Sequence, residues 1–506
     1  MAEIDLADDL EDARHYLENA LGPDYNDALV RAYLEAAPEM VRFVEANTHV
    51  RFEPSLLPDY EPSHAGAHVG RTMFTKDFDG REMGALLRRL RPARAELTLQ
   101  GMQFNFADAA IAMKVTRSPK AALYMLRLLG RFITDKLRHG RTTRLVGGNA
   151  LAARLLLSAA ECGVALRAET AAVELIEEEG AVRGLMVEHQ GKRSPVRARF
   201  GVVLASGGYG ANDAMRRMHL VQPDEAWSYQ PRECSGDGIS MAQRLGGRHI
   251  TDNAANAIWM PMSVEHNPTG EDRTFAHFAL DRHLPGAIAV NDKGIRFVNE
   301  AFHYQHFVNT MNTLGLKRAY LIMDHRFLRR YGAGLVRPAP FRFGKHLRSG
   351  YLMRGRSILE LSRMLDLPPG ALASTVARYN DGARRGADPE FRRGEDVYST
   401  AMGDLDHTPN PNVAPIKDGP FYAITLHPGD LCTVSGLEAD GEARVIGAEG
   451  APIEGLYAAG LDMNSLVRGH YPAGGLAIGP AMTFGYIAAK NIARRSRKNL
   501  VHELLP

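Results

Sequence analysis

The chain has 506 residues, room for roughly three domains at about 150 residues each, and its 45% hydrophobic and 24% charged content is that of a globular protein able to bury a large core. Lys plus Arg number 61 against 59 for Asp plus Glu, a formal charge of +2, so no global field favours nucleic acid or an anionic surface and nucleic-acid binding is set aside. Cys162, Cys234 and Cys432 stand too far apart for a local disulfide framework or a CxxC zinc site, which fits a reducing, cytoplasmic setting without a metal centre.

The first residues, Met1-Ala2-Glu3-Ile4-Asp5, run into Asp8, Asp9, Glu11 and Asp12, whereas a secretory signal needs a basic start and then an apolar stretch, so no export signal is expected. Mean hydropathy is negative and no window holds the roughly 18 apolar residues of a spanning helix, so no transmembrane segment is expected either. Val30, Leu34, Ala37, Val41 and Val44 recur at spacings of four and three, which predicts one face of an amphipathic helix. Gly147-Gly148-Asn149 then precedes an apolar helical run from Ala150 to Ala160, with Val164 to Ala168 read as a strand behind it. Three more strands are predicted around Val173 and Leu175, at Val182 to Glu188, and at Gly201 to Leu204, with Gly180 and Gly191 in the turns between them. The last strand runs into Ala205-Ser206-Gly207-Gly208-Tyr209-Gly210, a turn whose missing Cβ atoms let backbone approach a ligand closely.

From about Ala211 to Gly419 the chain is long and mixed, with helices expected at Met215 to Leu220 and Leu359 to Leu365 and proline-rich loops at Pro338-Ala339-Pro340 and Pro409 to Pro415. It reads as an inserted domain. Strands return after Phe421-Tyr422-Ala423-Ile424; Gly455 to Gly460 reads as a buried strand ending on glycine, and Ala473-Gly474-Gly475 precedes a helix from about Ile478 to Arg495.

Taken in this order, several stretches resemble the flavoprotein family that contains fumarate reductases and 3-ketosteroid dehydrogenases, over nearly everything from residue 10 to 500. They are Pro285-Gly286-Ala287-Ile288-Ala289-Val290-Asn291 running to Arg296-Phe297-Val298-Asn299-Glu300, Tyr379-Asn380 with Gly386-Ala387-Asp388 and Phe391, Pro420-Phe421-Tyr422-Ala423, and Gly455 to Gly460. The resemblance implies an α/β fold in which residues 1–212 and 420–506 build a Rossmann-like FAD-binding domain, incomplete at its N-terminus, and residues 213–419 form an inserted α+β cap or substrate domain. Family members open with a strand and a GxGxxG turn leading into a helix whose amides hold the pyrophosphate. This sequence carries no such unit, so a missing N-terminal segment or a partner chain is expected to supply it.

Within that family, dicarboxylate chemistry needs arginine and histidine to clamp paired carboxylates. Tyr304 stands where fumarate reductases place a proton-donating arginine, Pro472 where they have another, and Leu431-Cys432 where their histidine lies. The same positions resemble 3-ketosteroid Δ1-dehydrogenases, whose pattern is matched by Asp59-Tyr60, by Tyr304 within Asn299-Glu300-Ala301-Phe302-His303-Tyr304, and by Tyr471-Pro472-Ala473-Gly474-Gly475. The resemblance implies that the Tyr471 hydroxyl and the Gly475 amide bind the carbon-3 carbonyl oxygen of a hydrophobic ketone. Tyr304 then takes the carbon-2 proton while a hydride leaves carbon 1 for the flavin, and Tyr60 stabilises the Tyr304 phenolate. Ala473 and His470 depart from the steroid pattern, and His470 reads either as a proton relay or as a histidine packed beside the pocket.

For FAD, the resemblance implies contacts from Ala205, Ser206, Gly207 and Gly208, the Val173 backbone near the adenine, and Gly460, Asp462, Leu476, Ala477 and Ile478 around the ring end, with the helix from Ile478 aiming its N-terminal amides at the ring. The leading expectation is an FAD-dependent dehydrogenase of 3-ketosteroids or similar cyclic ketones, passing its electrons to a separate acceptor. The alternatives are a fumarate reductase-like enzyme acting on a small unsaturated acid and a truncated remnant without catalysis.

Overall fold

The computed structural model describes residues 6–504 apart from 113, 116, 117, 223–226, 269, 280 and 340. Met1 to Asp5, read above for an export signal, lie outside the described residues. The opening third is helical as the periodicity predicts, with α1 at Leu10–Leu21, α2 at Asp27–Asn47, α3 at Phe106–Ala112, α4 at Pro119–His139 and α5 at Gly147–Glu161. Caps set their starts: Asp9, Asn26 and Ser118 each accept a backbone N–H three residues on, which satisfies donors that the first helical turn leaves free. Val164 to Ala168 does not form a strand. Val164 is exposed, and the chain turns there before pairing begins at Ala171.

The first sheet has six strands. Strands β1 (Ala171–Glu178), β2 (Ala181–His189) and β3 (Lys192–Arg197) form an antiparallel meander around turns at Gly180 and Gly191. Strand β4 (Val202–Leu204) closes the run, and α6 (Asp213–His219) and α7 (Asp237–Arg244) follow it.

The second sheet has seven. It contains β5 (Ala257–Glu265), β6 (Arg273–Ala276), β7 (Ala287–Val290), β8 (Ala319–Asp324), β9 (Met353–Gly355) and the long β10 (Phe421–Thr433), joined by the two-residue strand Trp227–Ser228. Its main path runs β6-β5-β10-β8-β7, with α8 (Tyr304–Thr313) packed on β5. Helices α9 (Ile358–Met364) and α10 (Ala371–Ala383) cover its other side around Ile288, Ile322 and Ala423.

Strands β11 (Arg444–Ile446) and β12 (Pro452–Ala458) then return to the first sheet, where β12 runs parallel to β4 and to β2. The final helix, α11 (Ile478–Leu504), packs on α2 and β12. Strand β4 pairs with β12 alone among the described strands.

Strand β10, at the start of the expected C-terminal segment 420–506, lies between β5 and β8 in the middle of the seven-stranded sheet. Thirteen residues with only four half-buried among nine buried is the pattern of a strand covered on both faces, and alternation gives no sign of which sheet takes it. A single buried cluster joins the two sheets, with Trp259 and Ile424 from one and Leu204 and Tyr457 from the other. Among the described residues, no helix is long and apolar enough to cross a membrane.

Candidate active site and cofactor cleft

Four tyrosines from four distant parts of the chain meet in the core where the two sheets adjoin. The ring of Tyr60 lies 5.7 Å from that of Tyr304, 4.8 Å from Tyr398 and 5.7 Å from Tyr471, and Tyr304 lies 5.7 Å from Tyr471. The Tyr60 and Tyr304 hydroxyls are 3.5 Å apart.

Each ring is fixed by its neighbours in sequence. Tyr304 opens α8 behind the N-cap His303, whose Nδ1 accepts the His306 amide and whose Nε2 meets Glu61 at 2.8 Å. Gln305 accepts the Trp259 amide at 2.5 Å and donates to the Gly469 carbonyl at 3.0 Å, tying α8 both to β5 and to the loop that carries Tyr471. The Pro472 carbonyl accepts the Tyr60 amide at 2.7 Å and the Tyr16 hydroxyl at 2.5 Å, so the turn after Tyr471 is pinned to the segment holding Tyr60. Asp59 anchors that segment by accepting the His68 amide and Arg71 Nη1, each at 2.9 Å. Burial nonetheless pushes the Asp59 carboxyl up to about 6.

Behind the tyrosines sits a charged core. Arg296 is fully buried, bonds Glu300 at 2.9 and 2.8 Å and Asp388 at 2.8 and 2.7 Å, while Arg393 adds a bond to Glu300 at 3.2 Å. Two cations face two carboxylates there. Arg282 is different: its Nε and Nη1 donate to the carbonyls of His277, Glu300 and Phe302, and its buried Nη2 finds no partner. Its guanidinium therefore brings an unpaired positive charge to the floor of the cluster. Burial raises all four phenols above the ordinary tyrosine value, Tyr304 and Tyr398 furthest, and Arg282 pulls back on Tyr60 and Tyr398. Tyr471 is pushed up to about 12 by burial, against the opposing pull of the Tyr304 hydroxyl and the Gly475 amide.

A cleft opens beside this cluster, lined by Val434, Gly460, Leu461, Leu476, Ala477 and Phe484 among others. It lies where the parallel strands β4 and β12 end and α11 begins, the position at which open α/β sheets take ligands. Gly475 has φ +86°, and no atom stands within 4 Å of where its Cβ would be. Gly475 stands beside Tyr471, and Ile478, three residues on, is exposed.

The turn 205–208 is held from within the protein. Asp462, fully buried, accepts the Ser206 amide at 2.5 Å, the Ser206 hydroxyl at 3.0 Å and the Gly208 amide at 3.2 Å. The room left by the missing Cβ of Gly208 is taken by Thr433 Oγ1, 2.6 Å from where that atom would be. Ala205 and Ser206 remain exposed, whereas the Val173 carbonyl is taken by Arg244 at 3.2 Å. His470 pairs with Asp24 at 2.9 Å, away from the hydroxyls.

The structure thus brings together Tyr60, Tyr304 and Tyr471, and it brings Gly460, Leu476 and Ala477 to one cleft. Sequence reasoning missed Tyr398, Tyr16, Gln305 and Arg282. Gln305, next to Tyr304 on a helix buried along one half, was the one with a visible signal, because a buried amide needs partners.

A family model described as FAD binding domain matches residues 2–478. The chain belongs to that family. FAD is its cofactor. This flavoprotein is 34% identical, over 96% of its own length and 84% of the relative's, to the 4-oxocyclohex-2-ene-1-carboxylate 5-dehydrogenase of Sinomonas cyclohexanicum. It is likewise 34% identical to the 3-oxosteroid 1-dehydrogenase of Mycolicibacterium smegmatis, over 96% and 87% of the two chains. The crystal structure of 3-ketosteroid Δ1-dehydrogenase from Sterolibacterium denitrificans in complex with 1,4-androstadiene-3,17-dione superposes with a TM-score of 0.89 at 34% identity, covering 97% of this chain and 90% of that one.

Proposed function

We propose that this flavoprotein is a dehydrogenase that introduces a 1,2-double bond into a 3-ketosteroid or a similar cyclic ketone. The observation that carries the reading is the meeting of Tyr60, Tyr304 and Tyr471, with Gly475 and its open Cβ space four residues after Tyr471. The Tyr471 hydroxyl and the Gly475 amide both donate, so together they hold a ketone oxygen and stabilise the charge that grows on it, which acidifies the adjacent carbon. Tyr304 accepts the proton from that carbon. Tyr60 hydrogen-bonds the Tyr304 hydroxyl, and the buried charge of Arg282 favours the anionic form of the cluster. FAD, when bound, supplies the hydride acceptor and hands the electrons on to an external acceptor.

In this reading, Ala205 to Gly208, Gly460, Leu476, Ala477 and Ile478 hold the cofactor, with the Val173 backbone near its adenine, and Asp462 acts by holding the 206–208 turn in shape. Residues 1–212 and those after β10 form the cofactor domain, and the seven-stranded sheet with its helices forms the cap. A small unsaturated diacid fits less well, because Arg282 commits its Nε and Nη1 donors to backbone carbonyls behind the phenols. Free cysteines at all three positions support a reducing, cytoplasmic setting.

The test is turnover by the FAD-loaded chain with an artificial electron acceptor, offered 3-oxosteroids and 4-oxocyclohexane carboxylates, and with a reduced dye offered fumarate. Oxidation of a ring ketone is expected. Reduction of fumarate with no ketone turned over would overturn the proposal.

A further inference from the structure

Helix α4 is apolar on two faces and covered on only one. Its inner face runs through Ala121, Leu128 and Asp135, and Asp135 accepts the Thr143 amide at 2.9 Å and hydroxyl at 2.8 Å. At about 100° per residue, Leu123, Leu126, Ile133 and Leu137 fall together on the opposite side, where they are 51, 63, 49 and 82% exposed. Single exposed leucines are ordinary, but four apolar side chains in one stripe along about 21 Å of helix are not.

The charges are arranged around that stripe. The helix carries five Lys and Arg against Asp135 alone, and that carboxylate is turned inward. Lys120, Arg127, Arg131 and Arg138 project together on one flank of the stripe, at roughly 240–280° from the inner face, and Lys136 lies on the other flank. Arg131 also pairs with Asp79 at 3.2 Å, while Lys136 lies over the Phe132 ring.

A leucine stripe bordered by long cationic side chains is the form that lies in a membrane interface, with the apolar side among acyl chains and the cations reaching to headgroups. A second copy docking on the same face would set its own five cations against these, which argues against self-association. We infer that α4 is a docking surface for a bilayer bearing anionic phospholipids, holding the chain to the membrane surface without crossing it. This inference stands apart from the reaction proposed above.

The experiment is flotation of the FAD-loaded chain with vesicles of phosphatidylcholine alone and of phosphatidylcholine with about one third phosphatidylglycerol. The wild-type chain is expected to float with the anionic vesicles, at least about tenfold more than with the neutral ones, and to release in high salt. The double variant Leu126→Glu, Leu137→Glu should stay at the bottom of the gradient while keeping its flavin absorbance and its melting temperature, since both positions are exposed. Absence of flotation would overturn the inference, as would flotation that the double variant leaves unchanged. So would a wild-type dimer in analytical ultracentrifugation that the same variant converts to monomer.

Discussion

The proposed chemistry turns on the ionisation of Tyr304. A base works only when unprotonated, and a free tyrosine loses its proton at about 10. Burial first, and then the hydroxyls of Tyr471 and Tyr60, hold Tyr304 well above that value. Below its pKa the phenolate fraction grows tenfold for every pH unit, so at pH 7 it is at most about one part in a thousand. The expected result is a kcat/KM that climbs about a hundredfold from pH 7 to pH 9 without levelling off. Tyr304→Phe removes the proton acceptor and should cost about 10² to 10⁴ in kcat, about 2.7 to 5.4 kcal/mol of transition-state stabilisation. The assay is dye-coupled turnover of a 3-oxosteroid by the FAD-loaded chain from pH 6 to 10, run with protonated and 2-deuterated substrate so that a deuterium effect confirms which step is timed. A full deuterium effect with a profile flat from pH 6 to 9 would refute the base role. So would a Tyr304→Phe variant within tenfold of the wild type.

Arg282→Met deletes the unpaired buried charge, so the alkaline rise in kcat should move to still higher pH and tyrosinate absorbance near 295 nm should appear later in a titration; an unmoved profile would reduce Arg282 to a brace for the 300–302 loop. Asp462→Ala strips three donors of their acceptor in the 206–208 turn, and at about 1.5–3 kcal/mol for a hydrogen bond to a charged group the turn should no longer hold its shape. Flavin fluorescence titration should show FAD binding weakened by at least tenfold, and an unchanged Kd would contradict the assignment. Glu300→Ala leaves Arg296 with Asp388 and Arg393 with carbonyls alone, and breaking a buried pair in this way costs about 3–5 kcal/mol, to be read as a lower denaturation midpoint in urea.

Local pattern revealed much of the fold. The period of Val30, Leu34 and Val41 marked α2, and Gly180 and Gly191, both at positive φ, marked the turns of the first meander. What pattern could not reveal was sheet membership. Thirteen mostly apolar residues from Phe421 to Thr433 say strand, but their placement between β5 and β8 is decided by partners about a hundred residues or more away. The site divides in the same way. Tyr60, Tyr304 and Tyr471 came from a family pattern, whereas Tyr16 and Tyr398 have no local mark, because their part is to fill space beside segments far from them in sequence. Asp462 was legible as a site residue, but its job depends on the Ser206 and Gly208 amides 256 and 254 residues away.

The formal charge of +2 conceals two local imbalances, and both carry function in the readings above. In the core, Arg296 and Arg393 are matched by Glu300 and Asp388, whereas the Arg282 guanidinium makes no carboxylate hydrogen bond and has Asp281 as its nearest acidic influence outside the phenols. A buried cation bonded only to carbonyls is costly unless anions lie near it, and the acidic groups within its field are Asp281 and the phenols Tyr60, Tyr304 and Tyr398. On the surface, α4 concentrates five cations on one helix while its only carboxylate faces inward, so a chain that is nearly neutral on average presents a strongly basic, leucine-lined ridge. Averaged composition argued against an anionic surface as a partner, because an average cannot register where along the fold the charges fall.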